Sequence, residues 1–476
     1  MEAPGARLAQ RAALSRGHLM WLAIAVAAVA IGVLAALAPV QALALALLVL
    51  LLGLVGWGFV RQDVLGVCTW VCFGYSGFAL GGLYYALSPG ERVPFVAIPV
   101  YASLLSNRTF LILALGVTIV GLLSYLAGYA SKSPACTDIP RHSLVTPEVP
   151  VHRLAHVVVI MSLVGLASTY AYYQSAGGFR YLLSHIYGRT TFRSTAYLQW
   201  GALILPAANL LWFAHDYRRA LHAPVYWLHM ICCSLLLVSF GDRWGVVGFW
   251  LMLVTLDYYL SGRRFRTRTM LVLGALGATA ALAIGIWRGL SSGEFAASGI
   301  NLGRVQEVIL FELGRVFGTR NLTDIDVLSW TIGRGYEQIG GLGGSSLVQV
   351  ILAPIPRAIF PQKPVELGET VFAAYTRSEF RSSWHPTFVG ELFLNFWYPG
   401  VIVGMFLLGR LSSWIERQRQ RRSQPLALVL YAVFTAKFVM LLVTVDFYMA
   451  LLQALFYALP AIAAGTYLSR QEVAQS

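Results

Sequence analysis

Apolar residues run along this chain in blocks of about twenty, the length that crosses the hydrocarbon core of a bilayer as a helix. Such blocks lie near residues 19–37, 42–60, 64–87, 110–129, 154–173 and 198–214. Others lie near 224–240, 244–260, 270–287, 393–412, 426–445 and 447–468. The pattern predicts an all-α, polytopic transmembrane bundle of about twelve spans. Connections near Pro39, at Asp446 and across Gly241–Arg243 are very short. The first block imitates a secretion signal, with Arg7, Arg11 and Arg16 before it and Ala36-Leu37-Ala38 near its end. Its apolar core is too long for that role and a second block follows at once, so it reads as a retained span.

Polar positions between the blocks set the orientation. One side receives the N-terminal arginines, Arg61, Lys132 with Arg141 and Arg153, and Arg218-Arg219. The same side receives Arg263, Arg264, Arg266 and Arg268, then Arg417, Arg419, Arg421 and Arg422. Short loops rich in Lys and Arg stay in the cytoplasm. Both termini are therefore expected in the cytoplasm, in a bacterial inner membrane. Three stretches result: a bundle of about nine spans over 1–288, a large periplasmic loop over 289–392, and about three spans over 393–476.

That loop is patterned. Leu302, Val305, Ile309, Leu313, Val316 and Phe317 recur at helical spacing within 301–319, opposite Arg304, Glu307 and Arg315. This predicts an amphipathic helix suited to a membrane surface. Gly340-Gly341-Leu342-Gly343-Gly344-Ser345 reads as a flexible break. A proline-punctuated stretch follows, Pro354-Ile355-Pro356-Arg357 and Phe360-Pro361-Gln362-Lys363-Pro364.

Composition sharpens the picture. Hydrophobic residues make up 58% of the 476 positions and charged residues 12%, about half the charge of a soluble chain. The net charge of +14 follows the inner loops, which argues for topology over nucleic-acid binding. The five cysteines show no metal-ligand spacing and none falls in the large loop, so neither a disulfide framework nor a metal site is expected. The glycine run lacks the Gly-Lys-Ser/Thr ending of a phosphate loop. No cofactor is expected.

The outer side nonetheless carries many cations, including Arg180, Arg243, Arg288, Arg357 and Lys363. Salt bridges and headgroup contacts explain any one of them. As a set they suit an anionic substrate. Glu391 enters a span directly after Gly390, where a carboxylate is costly unless paired or working. It is a candidate general base, with Asp242 and His385 as alternatives. Lys437 sits inside an apolar block, and Asp446 follows at the outer turn as a candidate partner.

The run from Pro354-Ile355-Pro356-Arg357 through Phe360-Pro361-Gln362-Lys363-Pro364 to Pro386-Thr387, Gly390-Glu391 and Asn395-Phe396 resembles the bacterial oligosaccharide repeat-unit polymerases, the O-antigen (Wzy-type) family. Gly241-Asp242-Arg243 and the layout of many spans with one long outer loop resemble it too. The resemblance implies a metal-independent, inverting glycosyltransferase. Its substrate would be an undecaprenyl-diphosphate-linked oligosaccharide, and its surroundings membrane lipid and a chain-length regulator protein. In that reading Arg243, Arg357, Arg180, Arg288, Lys363 and Lys437 hold the diphosphate. A flippase for the same lipids and a ligase of finished glycan share the layout. The topology has a direct check: cysteines placed at Ser292 and at Arg419 should react with an impermeant reagent from opposite sides of the membrane.

Overall fold

A computed structural model describes residues 38–60, 63, 65–87, 108–131, 149–179, 196–240, 243–262, 325–352, 364–376, 383–421, 424–443 and 446–473, with isolated positions between 279 and 309 and between 355 and 362. The block near 19–37 and most of the block at 270–287 and of the amphipathic pattern at 301–319 lie outside these residues.

Every regular element among the described residues is helical. The main helices are α1 (Pro39–Val60), α2 (Val67–Leu87), α3 (Arg108–Ala130), α4 (Val151–Ser175), α5 (Ala196–Gly201), α6 (Ile204–His215), α7 (Pro224–Ser239) and α8 (Arg243–Ser261). Then come α9 (Ile325–Trp330), α10 (Ser345–Leu352), α11 (Leu367–Thr376), α12 (Thr387–Arg421), α13 (Pro425–Val443) and α14 (Phe447–Val473). Six of them are long and apolar enough to cross a membrane: α1, α3, α4, α12, α13 and α14. The helices α7 and α8 are apolar but shorter. The block at 198–214 is not one continuous helix, because α5 ends at Gly201 and α6 starts at Ile204.

The helix α13 is buried along nearly its whole length. One apolar core joins it to α1, α2, α3, α9 and α12, and a second joins it to α4, α6, α7, α8 and α14. A helix apolar all round belongs inside a bundle, and α13 has no charged residue but Lys437.

Small residues set the closest packing. A Cβ on Gly128 would strike the Phe406 carbonyl, and one on Gly409 would strike the Tyr125 carbonyl. Gly121 faces Val401 and Met405 in the same seam. These pairs ascend together, so α3 and the later part of α12 run parallel, backbone against backbone. Without a hydrophobic drive between helices in lipid, such close approach is a main source of association.

The helix α12 is broken. Phe396 (φ −141°, ψ 16°) and Trp397 (φ 59°, ψ −149°) leave helical geometry just before Pro399. The Leu392 side chain nevertheless packs against Gly404, and the Leu392 carbonyl against Gly400. Twelve residues of unbroken helix would separate Leu392 from Gly404 by roughly 18 Å. The chain therefore doubles back: a short arm, 387–395, folds onto a long arm, 398–421. Trp397 sits in backbone space nearly reserved for glycine.

Asp63, Tyr129, Tyr259 and Arg419 gather at one end of the bundle, and His385, Glu391, Asp446 and Phe447 gather towards the other. Within the stretch expected as the large loop, Ile325, Leu328 and Ile332 join the first apolar core. Arg419 is itself buried, so Gln424, exposed just beyond α12, is the reporter for that end. For the α3–α12 seam, Gly128→Val or Gly409→Val should cost about 1–3 kcal/mol or more. Gly116, with nothing near its Cβ position, should accept alanine within about 1 kcal/mol. Thermal unfolding in detergent measures both.

Candidate functional site

The break in α12 frees backbone groups in a helix apolar enough to cross a membrane, and inside a bilayer each unsatisfied one costs several kcal/mol. The glycine run meets that demand. The Leu342 amide donates to the Leu394 carbonyl at 2.9 Å, and the Gly344 amide donates to Asn395 Oδ1 at 2.9 Å. Asn395 Nδ2 donates back to the Glu391 carbonyl at 2.8 Å and to Ser346 Oγ at 2.7 Å. Gly340, Gly343 and Gly344 all have positive φ, so the turn depends on their lack of a side chain. The run expected as a flexible break is a fitted collar around the end of the short arm.

Glu391 lies one turn back from Asn395 and is 1% exposed. Its Oε1 accepts from Ser346 Oγ at 2.7 Å, and its Oε2 accepts from the Phe447 amide at 2.8 Å. Phe447 opens α14, so the carboxylate caps the positive end of a helix 27 residues long. Phe388, on the same arm, stacks on Phe447 with ring centroids 5.7 Å apart.

Asp446 precedes α14 and is turned towards a different helix. Its Oδ2 accepts from the Gly368 amide in the first turn of α11 at 3.2 Å. His385 Nδ1 stands 2.9 Å from Asp446 Oδ1, with the carboxylate side chain 1% exposed and the imidazole 20% exposed. Gly368 permits this arrangement: a Cβ there would come within 2.9 Å of His385 Nδ1. The Trp384 amide also donates to the Gly368 carbonyl at 2.9 Å, which ties the 383–386 segment to α11. His385, Asp446 and Glu391 thus form one charged cluster, within electrostatic reach of one another.

The structure brings two of the three candidate bases together, Glu391 and His385, and adds Asp446. Asp242, Arg357, Arg180, Arg288 and Lys363 lie outside the described residues. Arg243 opens α8, and its side chain also lies outside them. Lys437 does not meet Asp446 in the way the sequence suggested. Its Nζ donates to Gln453 Oε1 at 2.8 Å, approaches Met440 Sδ at 3.5 Å and sits 5.1 Å from the centre of the Tyr457 ring. It is buried between α13 and α14, and Gln453, Met440 and Tyr457 are its neighbours among the described residues.

A second charged cluster, at the opposite end, was hidden in the sequence. Arg419 Nη2 pairs with Asp63 Oδ2 at 2.9 Å and lies 3.8 Å from Glu416 Oε1. Tyr259 donates to Asp63 Oδ1 and Tyr129 to Glu416 Oε2, each at 2.6 Å. The guanidinium lies 4.1 Å from the Tyr259 ring centre and 5.0 Å from that of Tyr431. Arg419 had looked like one more cytoplasmic loop cation. Its position, one turn after Glu416 on the same helix, was the available signal.

Arg419→Met should cost about 3–5 kcal/mol, because it leaves two carboxyl groups buried together without their cation. Adding Asp63→Asn and Glu416→Gln removes the stranded charge and should recover most of the loss in thermal unfolding. No family model, no curated protein and no solved structure matches this chain.

Proposed function

We propose that this chain is a membrane-embedded glycosyltransferase that joins lipid-linked oligosaccharide repeat units at the periplasmic face of the inner membrane. The His385–Asp446 pair carries the reading. It stands at the start of the short arm of α12, at the end where the resemblance places the chemistry. Asp446 Oδ1 stands 2.9 Å from Nδ1 of the imidazole, an opposite charge close enough to stabilise the ring as it takes up a proton.

In this reading the acceptor hydroxyl gives its proton to His385 Nε2 as its oxygen attacks the anomeric carbon. The bond from that carbon to the diphosphate oxygen breaks, the configuration inverts, and the polyprenyl diphosphate leaves with the bonding pair. Arg243, Arg357, Arg180, Arg288 and Lys363 remain the groups assigned to the departing charge. Glu391 was the first candidate for the base. Its two oxygens are engaged by Ser346 and Phe447, which suits it better to holding the short arm. Asp242 keeps a place as an alternative base, and no metal or other cofactor is assigned.

A second reading, a flippase for the same lipids, draws on one observation. Broken helices at membrane depth commonly form transporter sites, and α12 is broken at 396–397. The two readings differ in where unjoined repeats collect.

Purified protein supplied with lipid-linked repeats should lengthen the glycan. His385→Ala should slow that step by roughly a hundredfold to ten-thousandfold, while Glu391→Gln should lose stability more than rate. Lysine should replace Arg243 or Arg357 poorly, because it lacks the forked donors that grip a diphosphate. In cells, His385→Ala should leave single repeats on the outer leaflet, open to an impermeant sugar-oxidising reagent. Repeats retained on the inner leaflet would instead indicate the flippase. Full polymerising activity in His385→Ala would remove the histidine from the reaction.

A further inference from the structure

Within the charged cluster, Glu391 and Asp446 are almost wholly buried, whereas Trp384 and His385 are partly exposed. Trp384 is adjacent to His385 in sequence, and its backbone is pinned to α11 by the bond to Gly368. Its ring is held from the side. Phe372 meets it at 4.6 Å between centroids and 87° between planes, and Tyr375 meets it at 5.2 Å and 66°. Trp330 supports Tyr375 from behind at 5.2 Å and 83°. An indole braced in this way has few rotamers to lose when something settles on it.

A cluster of four aromatic rings is more often plain core, and three of these are. Phe372, Tyr375 and Trp330 are buried. Trp384 differs because it combines a braced ring, partial exposure and a seat against Phe372, one turn along α11 from Gly368, which faces the imidazole. A ligand approaching His385 meets an apolar surface and a polar tip together. A pyranose ring offers the complement, with C–H groups on its faces and hydroxyls round its rim.

We propose that Trp384 is the platform for the acceptor sugar, the residue on which the terminal pyranose of the incoming repeat lies as its hydroxyl meets His385. This rests on the glycosyltransferase reading and adds the substrate class for one subsite. An isoprenoid tail is the rival occupant of an exposed indole. The imidazole beside Trp384 favours a ligand that carries hydroxyls.

The probe is the lipid-free repeat oligosaccharide, released by mild acid from the lipid-linked pool of the source cells. Saturation-transfer NMR with protein in detergent should show contact to pyranose protons. Trp384→Leu should weaken that binding about tenfold, and Trp384→Phe should restore much of it. In the polymerisation assay Trp384→Leu should raise KM for the acceptor by a similar factor, with kcat less affected. A melting temperature within a few degrees of wild type shows that each variant is folded. Unchanged oligosaccharide binding in folded Trp384→Leu would overturn the platform. So would competition by a polyprenyl phosphate that carries no sugar, with no binding of the free glycan. Oligosaccharide binding that needs Trp384 without any polymerisation would keep the platform and sink the polymerase.

Discussion

Everything at the site depends on satisfying backbone groups where water is scarce. A helix that breaks inside a bilayer exposes amides and carbonyls that lipid cannot bond. Here the break at Phe396 and Trp397 is matched by a collar from a segment about fifty residues earlier in the chain, joined through Leu342, Gly344 and Asn395. Remove the collar and the short arm loses the bonds that close its end. The arm carries Glu391, which fixes the start of α14, and the residue before α14 is Asp446, which holds His385. One constraint on peptide groups thus propagates to the orientation of an imidazole.

Two different kinds of packing support this arrangement. Glycines let α3 and the long arm of α12 approach until backbone meets backbone, which gives dispersion and weak C–H contacts in place of a hydrophobic drive. The helix α13 does the opposite and offers bulky apolar residues on all sides. The bundle is therefore stiff along the α3–α12 seam and filled around α13. Charge at the Arg419 end is met by one guanidinium shared between two carboxyl groups and closed over by tyrosines. Charge around Glu391 is met largely by neutral donors.

Long apolar blocks were legible in the sequence because hydropathy follows directly from composition, and α1, α3, α4, α13 and α14 appear close to their expected bounds. The break in α12 was not. Its apolar block runs straight through the turn, and Trp397-Tyr398-Pro399 reads equally well as an interfacial aromatic belt. The glycine run was misread because composition alone cannot separate a flexible linker from a turn that requires positive φ. Glu391 and His385 stood out as polar residues near a span entrance. Ser346 and Gly368 did not, since neutral residues gain meaning only from a partner far along the chain, and Asn395 entered only through the resemblance. Asp446 was noticed but matched to Lys437 on charge alone, where the fold gives the lysine to Gln453.

The two carboxylates near α14 show why proximity to a titratable group does not define its role. Glu391 has one neutral donor on each oxygen and almost no exposure, so moving it would leave a hydroxyl and a helix amide unpaired. Asp446 shares its charge between a helix N-terminus and an imidazole that reaches the surface. A group that holds two helices together is poorly placed to exchange protons, because each transfer would disturb its fold contacts. An imidazole held on one side by a fixed carboxylate escapes that conflict: its partner bears the structural load while its ring meets the surface. The contrast between Glu391 and His385 follows from where the contacts of each one lead.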